Sequence, residues 1–206
     1  MKYKRTLIAA FALAAIAVTF SLSITTSFSL PLDGRVLDAD TGKSVEGAVV
    51  VATWLIQSPI NAVPVGYVEL QETRTGANGE FQLAGWGPRF RTRGANAPAQ
   101  PEIRIIRQGY RPMIELVDAG TPRQNGDALF RMQREKGSLT EQAEILQFVG
   151  TSTVFAFFAS PFSCEWQRIP LYLQALREAD LQLIRAGSAT SLGPELSLKD
   201  SFGCAK

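Results

Sequence analysis

The sequence predicts a mainly β protein: a sandwich of seven short strands, with a hydrophobic helix before it and a helical extension after it. Three observations predict this class. Seven runs rich in β-branched and aromatic residues lie between residues 32 and 135, separated by clusters of Gly, Pro, Asn and Asp. An uncharged apolar run precedes them, and helical patterns follow from Lys136 onward. The chain of 206 residues is long enough for one sandwich core and a small helical unit.

The N-terminal segment, residues 1–31, has the features of a signal peptide or a signal anchor. Lys2, Lys4 and Arg5 precede a stretch from Thr6 to Leu32 that contains no charged residue, which is typical of export or membrane insertion. This stretch is longer than the roughly 20 residues that a spanning helix needs, whereas its tail of small residues suits cleavage. We therefore expect an exported chain. Its body is either anchored to the inner membrane and lies in the periplasm, or it is periplasmic or secreted after cleavage.

The predicted strands follow one another closely, with turn residues between them. The run from Ala48 to Leu55 is almost entirely apolar, which predicts a central, buried strand. Asn78 and Gly79 separate two strand-like runs and indicate a hairpin, because both residues tolerate positive φ. A long loop rich in Gly, Pro and Arg is expected from Trp86 to Pro101. The other six strands read LDGRVLD, GYVELQETRT, EFQL, EIRIIRQ, MIELVD and ALFRMQR.

The C-terminal part, residues 136–206, is predicted to be a helical extension that packs on the sandwich. Ser138 and Glu141 have the spacing of a capping box in front of the first helix. Pro170 lies near the start of the second helix. The buried face of that helix is predicted to consist of Leu173, Leu176, Leu181 and Ile184. Gly187 can end it. The apolar run VFAFF, residues 154–158, is expected to pack on the sandwich, with a membrane or partner contact as the alternative.

Several short motifs occur in order between Leu32 and Gln133. They read G-x-V-x-D, TG, GA-x-V, T-x-x-NG-x-F-x-L and GY, and they comprise Gly34, Val36, Asp38, Thr41, Gly42, Gly47, Ala48, Val50, Thr75, Asn78, Gly79, Phe81, Leu83, Gly109 and Tyr110. In this order and spacing they resemble the carboxypeptidase regulatory-like domain of exported bacterial proteins. Ser44 stands where that family usually has Pro, and Gly76 where it often has Asp; neither is a functional position. The resemblance implies a transthyretin-like (prealbumin-like) Greek-key sandwich over residues 32–135, which serves as a stability module beside another function.

The sequence contains no histidine, and this removes several classes of catalysis. Ser-His-Asp and Cys-His nucleophilic sites, His-ligated zinc and the commonest general base are all excluded. The chain thus resembles the accessory domain of zinc carboxypeptidases and not their catalytic domain. Hydroxyisourate hydrolases and intradiol dioxygenases, which resemble it in fold, also need His. Asp38 and Asp40 are the remaining candidates for a carboxylate pair or a calcium site, but Asp is expected in such a turn anyway. We expect no catalytic residues, no cofactor and no metal.

The best candidate for binding is the arginine-rich stretch that begins at Trp86. Arginine pairs with carboxylates and phosphates, and aromatic rings stack on sugars; the candidate residues are Trp86, Arg89, Phe90, Arg91 and Arg93. The alternative is a solvated loop whose aromatic side chains fold onto the sandwich edge. Because the excess of positive charge is confined to the N-terminal segment, nucleic acid is not an expected partner.

These features lead to a non-catalytic, exported or membrane-anchored module for binding or structural support in the cell envelope. Its partner would be an envelope protein or an anionic glycan, and the N-terminal segment would contact the membrane. The alternative function is a glycan hydrolase that uses carboxylates, or an accessory subunit of an envelope protease system.

Cys164 and Cys204 are the two cysteines of the chain, and an even count in an exported protein favours a disulfide. The bridge would close a loop of roughly 40 residues, which the chain-entropy model values at about 4 kcal/mol. We expect the oxidised protein to resist alkylation without reductant, and C164S/C204S to unfold at lower urea concentration. Two alkylated thiols in the intact mass of the untreated protein would contradict the bridge.

Overall fold

The computed structural model describes residues 24–57, 64–92, 100–157 and 165–188. Over these residues the chain forms ten strands, two α-helices and one short 3₁₀ turn. The strands are β1 (Ile24–Ser29), β2 (Leu32–Asp38), β3 (Val49–Gln57), β4 (Pro64–Arg74), β5 (Glu80–Leu83), β6 (Trp86–Thr92), β7 (Glu102–Ile106), β8 (Met113–Leu116), β9 (Arg123–Gln124) and β10 (Asp127–Met132). The helices are α1 (Leu139–Phe157) and α2 (Pro170–Arg185), and the 3₁₀ turn is Glu165–Arg168.

Two four-stranded sheets pack face to face and enclose the main hydrophobic core. One has the strand order β5-β2-β10-β9, and the other β4-β3-β7-β8. Strands β2 and β10 pair in parallel, while the other pairs are antiparallel. The third sheet is a ribbon of β1 and β6. The two helices pack on the outer face of the β4-β3-β7-β8 sheet and enclose a second core, so the molecule has three layers.

Strand β3 is buried on both faces, as its apolar sequence predicts. Its side chains alternate: Val50, Ala52 and Trp54 lie in the core between the sheets. Val49, Val51 and Leu55 lie in the core between the sheet and the helices. This explains why β3 reads as a continuous apolar run and lacks the alternation of a half-exposed strand.

The prediction of two C-terminal helices is confirmed, but the predicted buried face of α2 is partly wrong. Tyr172, Leu176 and Leu183 are its buried residues, whereas Leu181 and Ile184 are exposed. At 100° per residue, Tyr172, Leu176 and Leu183 fall on one side of the helix and Leu181 on the opposite side. The buried face includes a tyrosine and is completed by partly buried alanines, and a search for leucines alone does not find it.

Both helix starts are capped by side chains. The Ser138 hydroxyl accepts the amide of Glu141 at 3.3 Å, as the capping-box spacing predicts. Helix α2 is capped from the neighbouring sheet, because the Glu72 carboxylate on β4 accepts the amides of Leu171 and Tyr172, each at 3.1 Å. Burial raises the pKa of Glu72, and these two hydrogen bonds act in the opposite direction.

Gly187 ends α2, as predicted, with a φ of +95°. Its amide donates to the Ile184 carbonyl at 3.0 Å, and the next amide, of Ser188, donates to the Leu183 carbonyl at 2.9 Å.

All seven predicted strands are present. The described residues contain three further strands that were not predicted, β1, β6 and β9. Strand β6 occupies the first part of the predicted long loop because it pairs with β1. Strand β1 in turn occupies residues that the sequence interpretation assigned to the N-terminal segment.

The predicted hairpin at Asn78 and Gly79 is also wrong. Strands β4 and β5 on either side of this turn belong to different sheets, so the turn crosses the sandwich. Gly79 has a φ of +73°, and a Cβ there would lie 2.4 Å from the Val36 carbonyl oxygen. The turn chemistry was therefore correctly read, but it does not specify which strands pair.

Several sequence predictions lie outside the described residues. Residues 1–23, which hold the basic and most apolar part of the N-terminal segment, are among them, and so are Cys164 and Cys204. The export signal, the anchor and the disulfide therefore stay predictions. The side chains of VFAFF are also outside the description. Within the described part of the chain, no helix is long and apolar enough to cross a membrane.

The corrected face of α2 gives a direct test. Leu176 is 0% exposed and Leu181 is 42% exposed. We expect L176A to lower the free energy of unfolding in urea by about 2–5 kcal/mol, because it leaves a cavity in the helix-facing core. The matched variant L181A should change it by less than about 0.5 kcal/mol. Equal losses in the two variants would contradict the described packing of α2.

Candidate functional site

The arginine-rich stretch singled out in the sequence is strand β6, not a free loop. Trp86 is half-buried and packs edge-to-face on Trp54, with ring centroids 5.6 Å apart. This agrees with the interpretation in which the aromatic side chain folds onto the sandwich edge. Phe90 and Arg91 lie in β6 opposite Thr26 and Thr25 of β1, respectively. Arg93 is outside the described residues.

Arg89 has a structural partner within the chain. The carboxylate of Glu69 on β4 is 5% exposed and pairs with Arg89 through Oε2 and with Arg168 of the 3₁₀ turn through Oε1. Its Oε1 also accepts the Leu70 amide at 3.1 Å. A buried carboxylate is costly unless it is paired, so Arg89 and Arg168 are needed to hold Glu69. The cluster joins β6, β4 and the helical part, and it leaves Arg89 less available to a ligand.

Asp38 is buried, and its carboxylate is occupied by four donors of its own chain. Oδ1 accepts the amides of Asp40 and Thr41, at 3.0 and 2.9 Å. Oδ2 accepts the Tyr110 hydroxyl at 2.9 Å and pairs with Arg134 Nε at 2.7 Å. The Thr41 amide, helped by the Tyr110 hydroxyl and the Arg134 charge, holds the pKa of Asp38 well below its ordinary value. These contacts give Asp38 a structural role.

Asp40, the other candidate carboxylate, is held separately from Asp38. Its side chain is exposed and pairs with Lys136 Nζ at 2.6 Å. Asp40 therefore closes the turn onto the segment after β10. The two carboxylates have different partners and different exposure, so the described geometry does not resemble the facing pair that acid–base hydrolysis uses.

An open groove of about 430 Å³ lies where the two helices meet one end of the β4-β3-β7-β8 sheet. Its walls are the first half of α1, the part of α2 from Gln174 onward and the loop between β7 and β8. Its floor is apolar and consists of Val49, Ile106, Leu146 and Leu183. A concave site with an apolar floor and a few polar groups is the usual form of a ligand site.

Two arginines, Arg74 and Arg107, line this groove. Neither forms an ion pair with any carboxylate of the described residues. The Arg107 guanidinium lies against Gly47, its atoms 3.3–3.7 Å from the position of a Cβ at that residue. Gly47 has a φ of +69°, so glycine both permits the turn and leaves room for the arginine.

Carboxylates and side-chain amides also line the groove. Glu178 accepts the Gln174 side-chain amide at 2.8 Å, and Glu135 accepts the Gly137 amide at 3.0 Å. Gln108 and Gln182 also line the groove, and their side chains make no hydrogen bond to the rest of the described chain. The lining of the groove therefore combines two cations with hydrogen-bonded acids and side-chain amides.

This groove is not among the sites predicted from the sequence. Arg74 lies in one predicted strand and Arg107 in another, more than 30 residues later, so no local motif connects them. They come together because Val49 of β3 pairs with Arg74 on one side and with Ile106 on the other. A correct sheet order, together with the position of the helices, is the signal that would have found the site.

No protein-family model and no curated protein matches the chain. Among solved structures, part of the chain is similar to a Streptococcal ancillary pilin, with 14% identity, a TM-score of 0.29 and coverage of 52% of this chain. A stretch that covers 69% of the chain is similar to a 9R-lipoxygenase from Cyanothece PCC8801, with 10% identity and a TM-score of 0.29. The chain spans only 30% and 26% of these two structures.

The lowered pKa of Asp38 predicts a specific acid sensitivity. An acid with a lowered folded-state pKa stabilises the fold above its ordinary pKa of about 3.9, and this contribution is lost as the pH falls toward the folded-state value. We expect D38N to remove this part of the pH dependence of the unfolding free energy, measured in urea between about pH 2 and 5. Y110F, which removes one donor and keeps the carboxylate, should retain a reduced dependence. An unchanged slope in both variants would contradict this role of Asp38.

Proposed function

We propose that this chain is a non-catalytic module of the cell envelope, with a sandwich as scaffold and the groove beside its helices as binding site. The N-terminal segment would export it and contact the membrane. The body would then lie at the outer face of the inner membrane or in the periplasm. Its partner would be another envelope protein or, as the alternative, an anionic glycan.

We also propose that the sandwich is a carboxypeptidase regulatory-like domain with the transthyretin-like Greek-key fold. The two large sheets contain seven strands besides the two-residue β9, which is the number that the resemblance implies. Motif residues have structural contacts that support a stability module. The Thr75 hydroxyl, for example, accepts the Ala48 amide at 2.8 Å and donates to the Val45 carbonyl at 2.7 Å. Tyr110, another motif residue, donates its hydroxyl to the carboxylate of Asp38 at 2.9 Å.

The observation that carries the binding role is the groove itself. Its floor is built from side chains of both the sheet and the helices, so the groove exists only because the helical extension packs on the sandwich. It presents two arginines without an ion pair to the described carboxylates. Hydrolysis by carboxylates receives less support, because Asp38 is occupied by four donors and Asp40 is paired with Lys136.

Site-specific photo-cross-linking in intact cells tests this proposal. A benzoylphenylalanine at Gln182, in the groove, is compared with one at Arg131, which is exposed on β10. We expect a discrete cross-linked partner from position 182 and none from position 131. The same partner from both positions, or no product from either, would contradict a binding role for the groove. Hydrolysis of envelope glycans by the purified chain would favour the enzymatic alternative.

A second arm tests the arginine-rich stretch predicted from sequence. Arg89, Arg91 and Arg93 are replaced by Ala in the chain that carries the cross-linker at position 182. We expect the partner to be retained, because Arg89 is occupied by Glu69. Loss of the partner in a variant that still folds would place the binding surface on β6 instead.

A further inference from the structure

We infer that the groove binds a short peptide segment in which a carboxylate lies beside an apolar side chain, and that Arg74 and Arg107 recognise the carboxylate. This inference rests on the proposed function, since it names the class of ligand for the same groove. Four features of the groove support it. Arg74 extends from the same sheet face as the apolar floor, the two arginines form no ion pair with a described carboxylate, the floor is aliphatic, and two glutamine side chains line the groove.

The sheet register brings a cation and an apolar surface together. In an antiparallel sheet, residues directly opposite one another point to the same face. Val49 is opposite both Arg74 and Ile106, and Val49 and Ile106 both belong to the helix-facing core. Arg74 therefore extends from the same face as the apolar floor. Arg107 follows Ile106 directly and lines the same groove.

The two guanidinium groups are available for an anion. The charge of Arg74 acts to lower the pKa of Glu72. The two residues form no ion pair, however, and the Glu72 oxygens accept the amides of Leu171 and Tyr172. Arg107 rests on Gly47, which limits the positions open to its guanidinium. Both arginines line the groove, and a bound carboxylate would accept charge-assisted hydrogen bonds from them.

The rest of the groove favours a peptide over a glycan. Its floor is aliphatic, and Tyr110, the aromatic residue in its described lining, uses its hydroxyl for Asp38. Sugar sites usually offer aromatic faces for stacking. The side-chain amides of Gln108 and Gln182 each provide a donor and an acceptor, which match the N–H and C=O of a peptide backbone. A volume of about 430 Å³ is in the range of small-ligand sites, enough for a few residues.

The test uses the full-length chain in detergent and two arrays of random hexapeptides. Neither array contains Asp or Glu; in one array the peptides end in free carboxylates, and in the other the same sequences end in carboxamides. We expect selective binding to the first array, with enrichment of Leu, Ile or Val next to the carboxylate. In solution, R74Q/R107Q should weaken the best peptide at least about tenfold, which corresponds to about 1.4 kcal/mol.

The control variant R131Q/R177Q removes two exposed arginines elsewhere and should bind the peptide as the original chain does. Equal weakening in both variants, equal binding to both arrays, or preference for oligogalacturonate, an anionic glycan without peptide bonds, would overturn the inference. If R74Q/R107Q still cross-links its partner from position 182 in cells, the groove remains a binding site and only the carboxylate recognition fails. If position 182 traps nothing, the proposed function itself fails.

Discussion

Strand β3 lies between two hydrophobic cores, and the rest of the architecture follows from the need to cover both of its faces. A strand with apolar side chains on both sides cannot lie at a surface, because roughly 25 cal/mol is lost for each Å² of apolar area left in water. The second sheet covers Val50, Ala52 and Trp54, and the helices cover Val49, Val51 and Leu55. The helical extension is thus a required layer of the fold and not an appendage, and any site at its junction with the sheet is built into the molecule.

Two charged groups, the partly buried Glu72 and the buried Arg104, fix the position of the helices on this sheet. Glu72 caps the start of α2, and Arg104, 2% exposed on β7, pairs with Glu102 and donates to the Ser152 hydroxyl of α1 at 2.9 Å. Hydrophobic contacts alone do not specify one orientation of a helix on a sheet, because they are non-directional. A buried charge without its partner is penalised strongly, so these contacts disfavour a helix that slides or rotates.

Sequence reasoning predicted the strands and helices well, because their signals are local. The apolar run of β3, the capping serine Ser138 and the terminating Gly187 are all visible within a few residues. What it missed depends on pairing between distant segments. Strand β6 forms because β1 lies beside it, the Asn78–Gly79 turn crosses between sheets, and the groove needs Arg74 and Arg107 on one face of a sheet whose order no local pattern gives. The buried face of α2 was misassigned because alanine and tyrosine can be interior residues as well as leucine.

The position of the groove follows from where charged contacts hold the helices on the sheet and where they do not. Glu72 and Arg104 hold the start of α2 and the later part of α1, whereas the groove lies beside the first half of α1 and runs along α2 from Gln174 onward. There α2 presents Ala175 and Ala179 to the sheet, and small side chains leave the space between the layers unfilled. Because the helices are held elsewhere, closing this gap would break the contacts of Glu72 and Arg104. A ligand that enters it would meet walls already in place, and it would not have to displace any part of the core.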